Sequence, residues 1–339
     1  MRMPAWRRPR PITALLVVLG LLVVTESGLL VEQHLTNRSA HVNSDRLLAT
    51  FLKGDTAKTV GDTGVRIGLQ NVRFMWSPKV YIDAGDMAVQ AVSMEGRTVN
   101  FDDPGSFVLK LQRSSVHLRP SVLEGMLNES VFNYPGSKLR DLKADLVRTD
   151  EGTALKLAGD VNILLWIPFT MQTRLSLDRA SNTLVMEVEK LKILGMIPAT
   201  RLVKWTPFHL SRLIPSPPNG SLMIHGNRIF VKPFALFPPP RVTGTIASIA
   251  VDEDGIRLQF AGAPIPAPES SARNYVYLRG GSSQFGQFQM LDTNVLVMDR
   301  DPKDPFRFSL LHYADLIPKS DVEVHDTRSV KVVMPDYAG

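Results

Sequence analysis

Cysteine is absent from all 339 residues, which excludes disulfides, thiolate metal sites, a cysteine nucleophile and a lipid-modified amino-terminal cysteine. The fold must therefore be held by its hydrophobic core, and an apolar fraction of 44% is enough to build one. Metal-ligand patterns are missing too. His34, His41, His117, His209, His225, His312 and His325 are scattered, with no H-E-x-x-H pair. There is no phosphate-cradling G-x-x-x-x-G-K-[ST], and "GGSSQFG" at 280–286 lacks the G-x-S-x-G of a nucleophile elbow, so it reads as a turn. Asp299, Asp301 and Asp304 in "DRDPKDP" are closely spaced carboxylates, but the glycine and the twelfth-position glutamate of a calcium loop are missing, so the expectation is a solvated loop. Asp252-Glu253-Asp254-Gly255 reads as a hairpin turn. These absences describe a non-enzymatic chain with no cofactor and no metal.

A strong charge of one sign is also lacking. The net charge is +6, and residues 1–32 hold Arg2, Arg7, Arg8 and Arg10 against Glu26 and Glu32, which leaves +4 for the remainder. That is too little for a nucleic-acid partner. What the amino terminus does have is an apolar run from Ile12 to Val24 behind those arginines, so the positive end stays in the cytosol and the rest is exported. Two outcomes remain open. Gly28-Leu29-Leu30-Val31 extends the run into an uncleaved single-pass anchor, with the carboxy-terminal domain on the periplasmic or extracellular side. Alternatively, Thr25-Glu26-Ser27 is a cleavage site and the product is secreted.

The organisation that follows is a cytosolic basic segment at 1–11, a transmembrane anchor or signal peptide at 12–34, and a helical linker at 35–59. Its helix lies behind the cap signals Asn43-Ser44-Asp45. A β-rich domain at 60–262 then alternates apolar and polar residues between turns such as Ser77-Pro78 and Asp102-Asp103-Pro104-Gly105. Two segments break that period. Val122, Leu123, Met126 and Leu127 recur at helical spacing after Pro120, and a second helix over 198–213 carries Leu202, Trp205, Phe208 and Leu213 with a kink at Pro207. The tract "GAPIPAPESSAR" marks a Pro-rich linker at 263–272, and 273–339 reads as a small β appendix.

The longest signal is "LKLAGDVNILLWIPFTMQTRLSL" at 155–177. Its odd positions are apolar almost throughout, and Leu164, Trp166 and Pro168 make its middle greasy on both faces. One strand of that length would span roughly 75 Å, so the chain either forms one long coiled strand or folds back near 164–168 as two strands in phase. Pro168, which cannot donate to a ladder, favours the second. Either way one continuous apolar face results, with two short helices to cover it. The fold class is β-rich α+β, a long, curved antiparallel sheet wrapped around one or two amphipathic helices, with an amino-terminal membrane helix. Its interior is either packed solid or left open as a tunnel or groove.

The segments "VHLRPSVLEGMLNESV", "LKLAGDVNILLWIPFTMQTRLSLD", "LKILGMIPATRLVKWTPFHLSRLI" and "GNRIFVKPFAL" resemble the bacterial lipomannan-elongation-factor family. The likeness covers residues 60–262, and its most specific pieces are Asn128-Glu129 and Ile167-Pro168-Phe169. Such exported proteins are similar in fold to the tubular lipid-binding (TULIP) superfamily, in which curved strands wrap a helix and enclose an acyl-chain tunnel. The resemblance implies a lipid partner, phospholipid or glycolipid, at the membrane.

Large or flexible apolar side chains suit an acyl chain, so the candidate lipid-lining residues are Ile163, Leu165, Trp166, Phe169, Met171, Met186, Val188, Trp205 and Phe208. For any single one of them a place in a plain core is the commoner outcome. Phe234, Leu236 and Phe237, held among prolines between Lys232 and Arg241, are candidates for membrane contact, with packing onto the body as the equal alternative. The functional expectation is lipid binding or shuttling. The alternatives are a scaffold of the cell envelope and, third, a hydrolase without a recognisable motif.

Overall fold

In the computed structural model the alternating stretch at 155–177 is two strands, β6 (Gly152–Asn162) and β7 (Trp166–Asp178). The structure describes residues 44–53, 64–96, 98–162, 165–193, 197–198, 210, 214, 216–218, 220–268 and 272–338. Across the hairpin Leu155 faces Thr173, Leu157 faces Met171 and Val161 faces Ile167, so odd positions meet odd positions and the phase survives the reversal. Pro168 lies opposite Asp160, and β8 (Thr183–Ile193) pairs with β7 only from Phe169 onward. The missing N–H of Pro168 thus falls where β8 has no bond to lose.

These strands belong to a seven-stranded antiparallel sheet in the order β10 (Leu222–His225), β11 (Arg228–Val231), β8, β7, β6 and β5 (Leu139–Thr149), with β9 (Ile197–Pro198) beside β8. Its register slips twice. Between Gln172 and Thr173 the slip lets Leu184 and Met186 at even positions share a face with Leu191 at an odd one. Between Arg140 and Lys143 a second slip, with Asp141 at φ 52°, moves the buried set from Leu139 to Leu142 and Ala144. Each bulge bends its strand and tightens the twist.

An eleven-stranded sheet faces the same core. Its order is β13 (Ile246–Val251), β14 (Ile256–Phe260), β4 (Phe107–Leu118), β2 (Tyr81–Ser93), β1 (Val65–Met75), β15 (Tyr275–Arg279), β18 (Asn294–Asp299), β21 (Val330–Met334) and β20 (Asp321–Val324). Two short strands pair parallel to it, β12 (Arg241–Thr243) with β4 and β19 (Phe306–Phe308) with β1. Here too the buried face changes phase, from Val65, Ile67 and Leu69 to Val72 and Phe74, at Asn71 with φ 49°. The partner strand changes at the same level, from Ala84 to Met87. Neither large sheet closes on itself. A small third sheet joins β3 (Val99–Asn100), β16 (Ser283–Phe285) and β17 (Phe288–Met290).

The tail at 273–339, read from sequence as a separate appendix, is built into the main sheet. β15 runs antiparallel to β1, with Ile67 opposite Leu278 and Leu69 opposite Val276, and β19 takes the remaining length of the same edge. The physical reason lies in β1: an apolar strand with one edge unpaired would leave a row of orphaned amides, and the tail supplies their partners. Within the Pro-rich tract, Ile265 packs over Gly68 of β1.

The chain divides into two units between Leu52 and Lys53. Helix α1 (44–52) is the described part of the first. The expected anchor at 12–34 lies outside the described residues, and among those described no helix is long and apolar enough to cross a membrane.

The first period-breaking segment is helix α2 (Pro120–Gly125), which continues as a π-helical turn (Met126–Val131). Gly125 permits its approach to the neighbouring loop, since a Cβ there would stand 2.3 Å from the carbonyl oxygen of Lys79. Asn128 ties the π turn to β5. Its amide donates to the carbonyl of Leu142 at 2.8 Å, and its oxygen accepts the N–H of Leu142 at 3.0 Å. Glu124 accepts the N–H of Ala144 at 3.0 Å, and Glu129 accepts from the hydroxyl of Ser77 at 2.8 Å. The second expected helix, over 198–213, lies outside the described residues apart from Pro198, which ends β9, and the buried Leu210.

Candidate functional site

Both large sheets and the α2–π segment line one internal cavity of about 590 Å³. That is several times the ~150 Å³ that suffices for a benzene-sized guest, and it lies within the range of small-molecule sites. The seven-stranded sheet contributes Leu155, Leu157, Phe169, Met171, Leu184 and Met186, the inward set that the in-phase hairpin and its bulge bring to one face. The opposite wall comes from β1, β2, β4 and β14, with Leu69, Val89, Leu118 and Phe260. Met126, Leu127 and Phe132 enter from the π turn and just beyond it.

Among the described residues, Asp102 is the one charged residue of the wall. It stands where the cavity reaches the surface, as do the exposed lining residues Gly286, Phe288, Ile317, Val322 and Val324. These belong to the β16–β17 hairpin, to a 3-10 turn (Ile317–Lys319) that follows helix α3 (Tyr313–Leu316), and to the edge strand β20. The mouth therefore lies at the end built by the carboxy-terminal segment. The Tyr313 hydroxyl donates to Asp102, and the N–H of Gly286 donates to the same carboxylate at 2.5 Å. Burial, and then the bond to Asp102 and its charge, hold the Tyr313 phenol well above its ordinary range. It is a neutral donor at any physiological pH.

The sequence candidates separate clearly. Phe169, Met171 and Met186 line the cavity. Val188 packs against the core without reaching the wall. Leu165 is 74% exposed at the hairpin tip, and Trp166 lies beneath the guanidinium of Arg140 at 4.1 Å from its ring, outside the lining. Of the greasy middle, Trp166 and Pro168 thus belong to the start of β7, and Leu164 lies outside the described residues. Ile163, Trp205 and Phe208 lie outside the described residues. Phe234, Leu236 and Phe237, expected at a membrane surface, line the cavity. They belong to a 3-10 turn (Pro233–Leu236) and its cap. The ring of Phe237 lies 4.8 Å from Trp76, and that of Phe234 lies 5.8 Å from Phe260.

The lining residues that sequence reasoning passed over include a group from the tail, with Val276, Leu278, Val297, Val332 and Met334. Their signal was present as apolar alternation in "YVYL", "NVLVMD" and "VKVVM", but a boundary drawn at the prolines assigned it elsewhere. In the acidic loop Asp299 is occupied by a neighbouring side-chain amide and by the loop's own backbone. Asp299 accepts from Asn274 at 2.9 Å and from the N–H of Asp301 at 2.8 Å. Among the described residues no three potential metal ligands gather together.

No family model, curated protein or solved structure matches this chain.

Proposed function

We propose that this chain is an exported, membrane-tethered protein that binds or shuttles lipid, holding acyl chains in its apolar cavity without covalent chemistry. One observation carries the reading: a cavity of about 590 Å³ whose wall is hydrocarbon apart from its mouth. Water gains little in such a space, because it needs two or more polar partners, whereas an acyl chain gains about 0.8 kcal/mol for each methylene buried. The register slips that bend both sheets, and the α2–π segment against them, support a tube-like architecture of the TULIP kind. The arginine-flanked apolar run at 12–24 supports export and tethering.

Organic extraction of the purified full chain, followed by mass spectrometry, tests this. A reproducible co-purified membrane lipid is the expected result. A chain that is repeatedly empty, and that takes up no lipid from vesicles, would instead be a scaffold of the envelope.

A further inference from the structure

Asp102 interrupts an otherwise hydrocarbon wall, and its place is fixed from below. It follows Phe101, whose ring stacks on Phe285 at 4.8 Å and meets Phe107 edge-on at 5.3 Å. Phe285 in turn packs edge-on against Tyr313 at 5.9 Å. The carboxylate at the top of this aromatic stack is itself exposed, and it receives two neutral donors, the Tyr313 hydroxyl and the Gly286 N–H. A carboxylate offers about four lone-pair sites, so acceptor capacity remains.

Among the described residues no basic side chain pairs with Asp102. Asp103 beside it also lacks a basic partner among the described residues, whereas acids of α3 and β20 have one. Asp321 is met by Arg300 at 3.0 Å, Glu323 by Lys331 at 3.2 Å, and Asp315 by His312 at 3.5 Å. Lys319 of the neighbouring 3-10 turn is an exposed cation outside the lining, so the one charge carried by the cavity wall itself is negative. An anionic headgroup arriving there meets a like charge, while a headgroup with N–H or O–H donors meets an acceptor able to form a charge-assisted bond.

We propose that Asp102 selects the headgroup, and that the cavity's ligand is a lipid without net negative charge whose headgroup presents hydrogen-bond donors, an amine or sugar hydroxyls. This rests on the lipid-binding reading above and adds the class of lipid to it. The acyl chains lie along the wall formed by the two sheets, and the head remains at the mouth between the β3 turn, the β16–β17 hairpin and α3.

The test uses the full chain stripped of bound lipid. It is offered vesicles containing equal amounts of phosphatidylethanolamine, phosphatidylcholine, phosphatidylglycerol and a galactosyl diacylglycerol with the same acyl chains. Bound lipid is then quantified by mass spectrometry. The wild type should favour the ethanolamine lipid, the galactolipid or both over the choline and anionic lipids by about tenfold, the size of one hydrogen bond to a charged group. Which of the two donor lipids wins identifies the donor. Asp102→Asn should bring the preference to within about twofold, by lowering uptake of the donor lipids towards that of the choline lipid. Tyr313→Phe keeps both the aromatic stack and the carboxylate and should retain the preference. Indiscriminate uptake, a preference for the anionic lipid, or an Asp102→Asn variant that melts earlier but still discriminates overturns the headgroup assignment and leaves the lipid reading standing. Failure to take up any of the four overturns both.

Discussion

Leu157 and Met171 stand opposite one another across β6 and β7, and both side chains line the cavity. At a cavity wall a larger side chain can grow into empty space, whereas in a filled core the same change overpacks and costs about 1–3 kcal/mol. Met171→Trp is therefore expected to displace bound lipid while leaving the melting temperature unchanged or higher, because cavity filling commonly stabilises. Lipid content by mass spectrometry beside a thermal melt reads both quantities. A melt lowered by several degrees would show that this part of the wall has no room.

Asn128 acts as a substitute strand, closing both hydrogen bonds of Leu142 where β5 bulges away from β6. Leu142 is 3% exposed, so its backbone has no recourse to water once those bonds are cut. Leaving a buried donor and acceptor unpaired costs about 1–3 kcal/mol. Asn128→Ala should lower stability in chemical denaturation by about 2–3 kcal/mol. Asn128→Asp keeps an acceptor for the N–H and should recover part of that loss. Equal stability of all three proteins would mean that the bulge is held by something else.

The two-strand reading of 155–177 was within reach of the sequence because Pro168 and the unbroken odd phase are both written there. Period two survives a hairpin only when the register pairs odd with odd, and the structure has that register. The bulges are visible in sequence only after the fact. Leu184, Met186 and Leu191 change parity, but a parity change alone does not distinguish a bulge from a strand end. The membership of the tail was not legible, because the pairing of Leu69 with Val276 spans a proline-rich tract that local pattern treats as a boundary. The same boundary concealed the mouth, whose residues lie in the β3 turn and, far along the chain, in the carboxy-terminal segment. Phe234 and Phe237 line the cavity for a related reason: prolines prevent regular secondary structure but do not prevent burial.

The close contact at Gly125 gives a test of the α2 docking. A methyl group there would fall 2.3 Å from the Lys79 carbonyl oxygen, a backbone atom that cannot swing aside. Alanine ordinarily stabilises a helix by up to about 1 kcal/mol relative to glycine. Gly125→Ala should nevertheless destabilise, by about 1–3 kcal/mol, because helix and loop must separate. Since Met126 and Leu127 follow directly and line the cavity, lipid retention should fall in the same variant. A stabilised Gly125→Ala protein would show that the loop at Lys79 yields freely.

Asp299 should make stability depend on pH in the direction opposite to an ordinary paired carboxylate. Burial raises its pKa, outweighing the hydrogen bonds from Asn274 and from the N–H of Asp301 that lower it. The folded chain therefore takes up this proton more readily than the unfolded chain, whose aspartates titrate near about 3.9. Below that value both states are protonated and the burial of charge costs nothing. As pH rises from there through the raised folded value, the unfolded state loses its proton first, and stability falls until the full penalty is reached above the folded value. Asp299→Asn removes the titration. Plotted against pH, the stability of the wild type relative to this variant should rise as the pH is lowered from neutrality towards about 4 and then level off. Chemical denaturation of both proteins at a series of pH values measures it. A difference that stays flat, or that falls on acidification, would mean that the bonds from Asn274 and Asp301 outweigh burial.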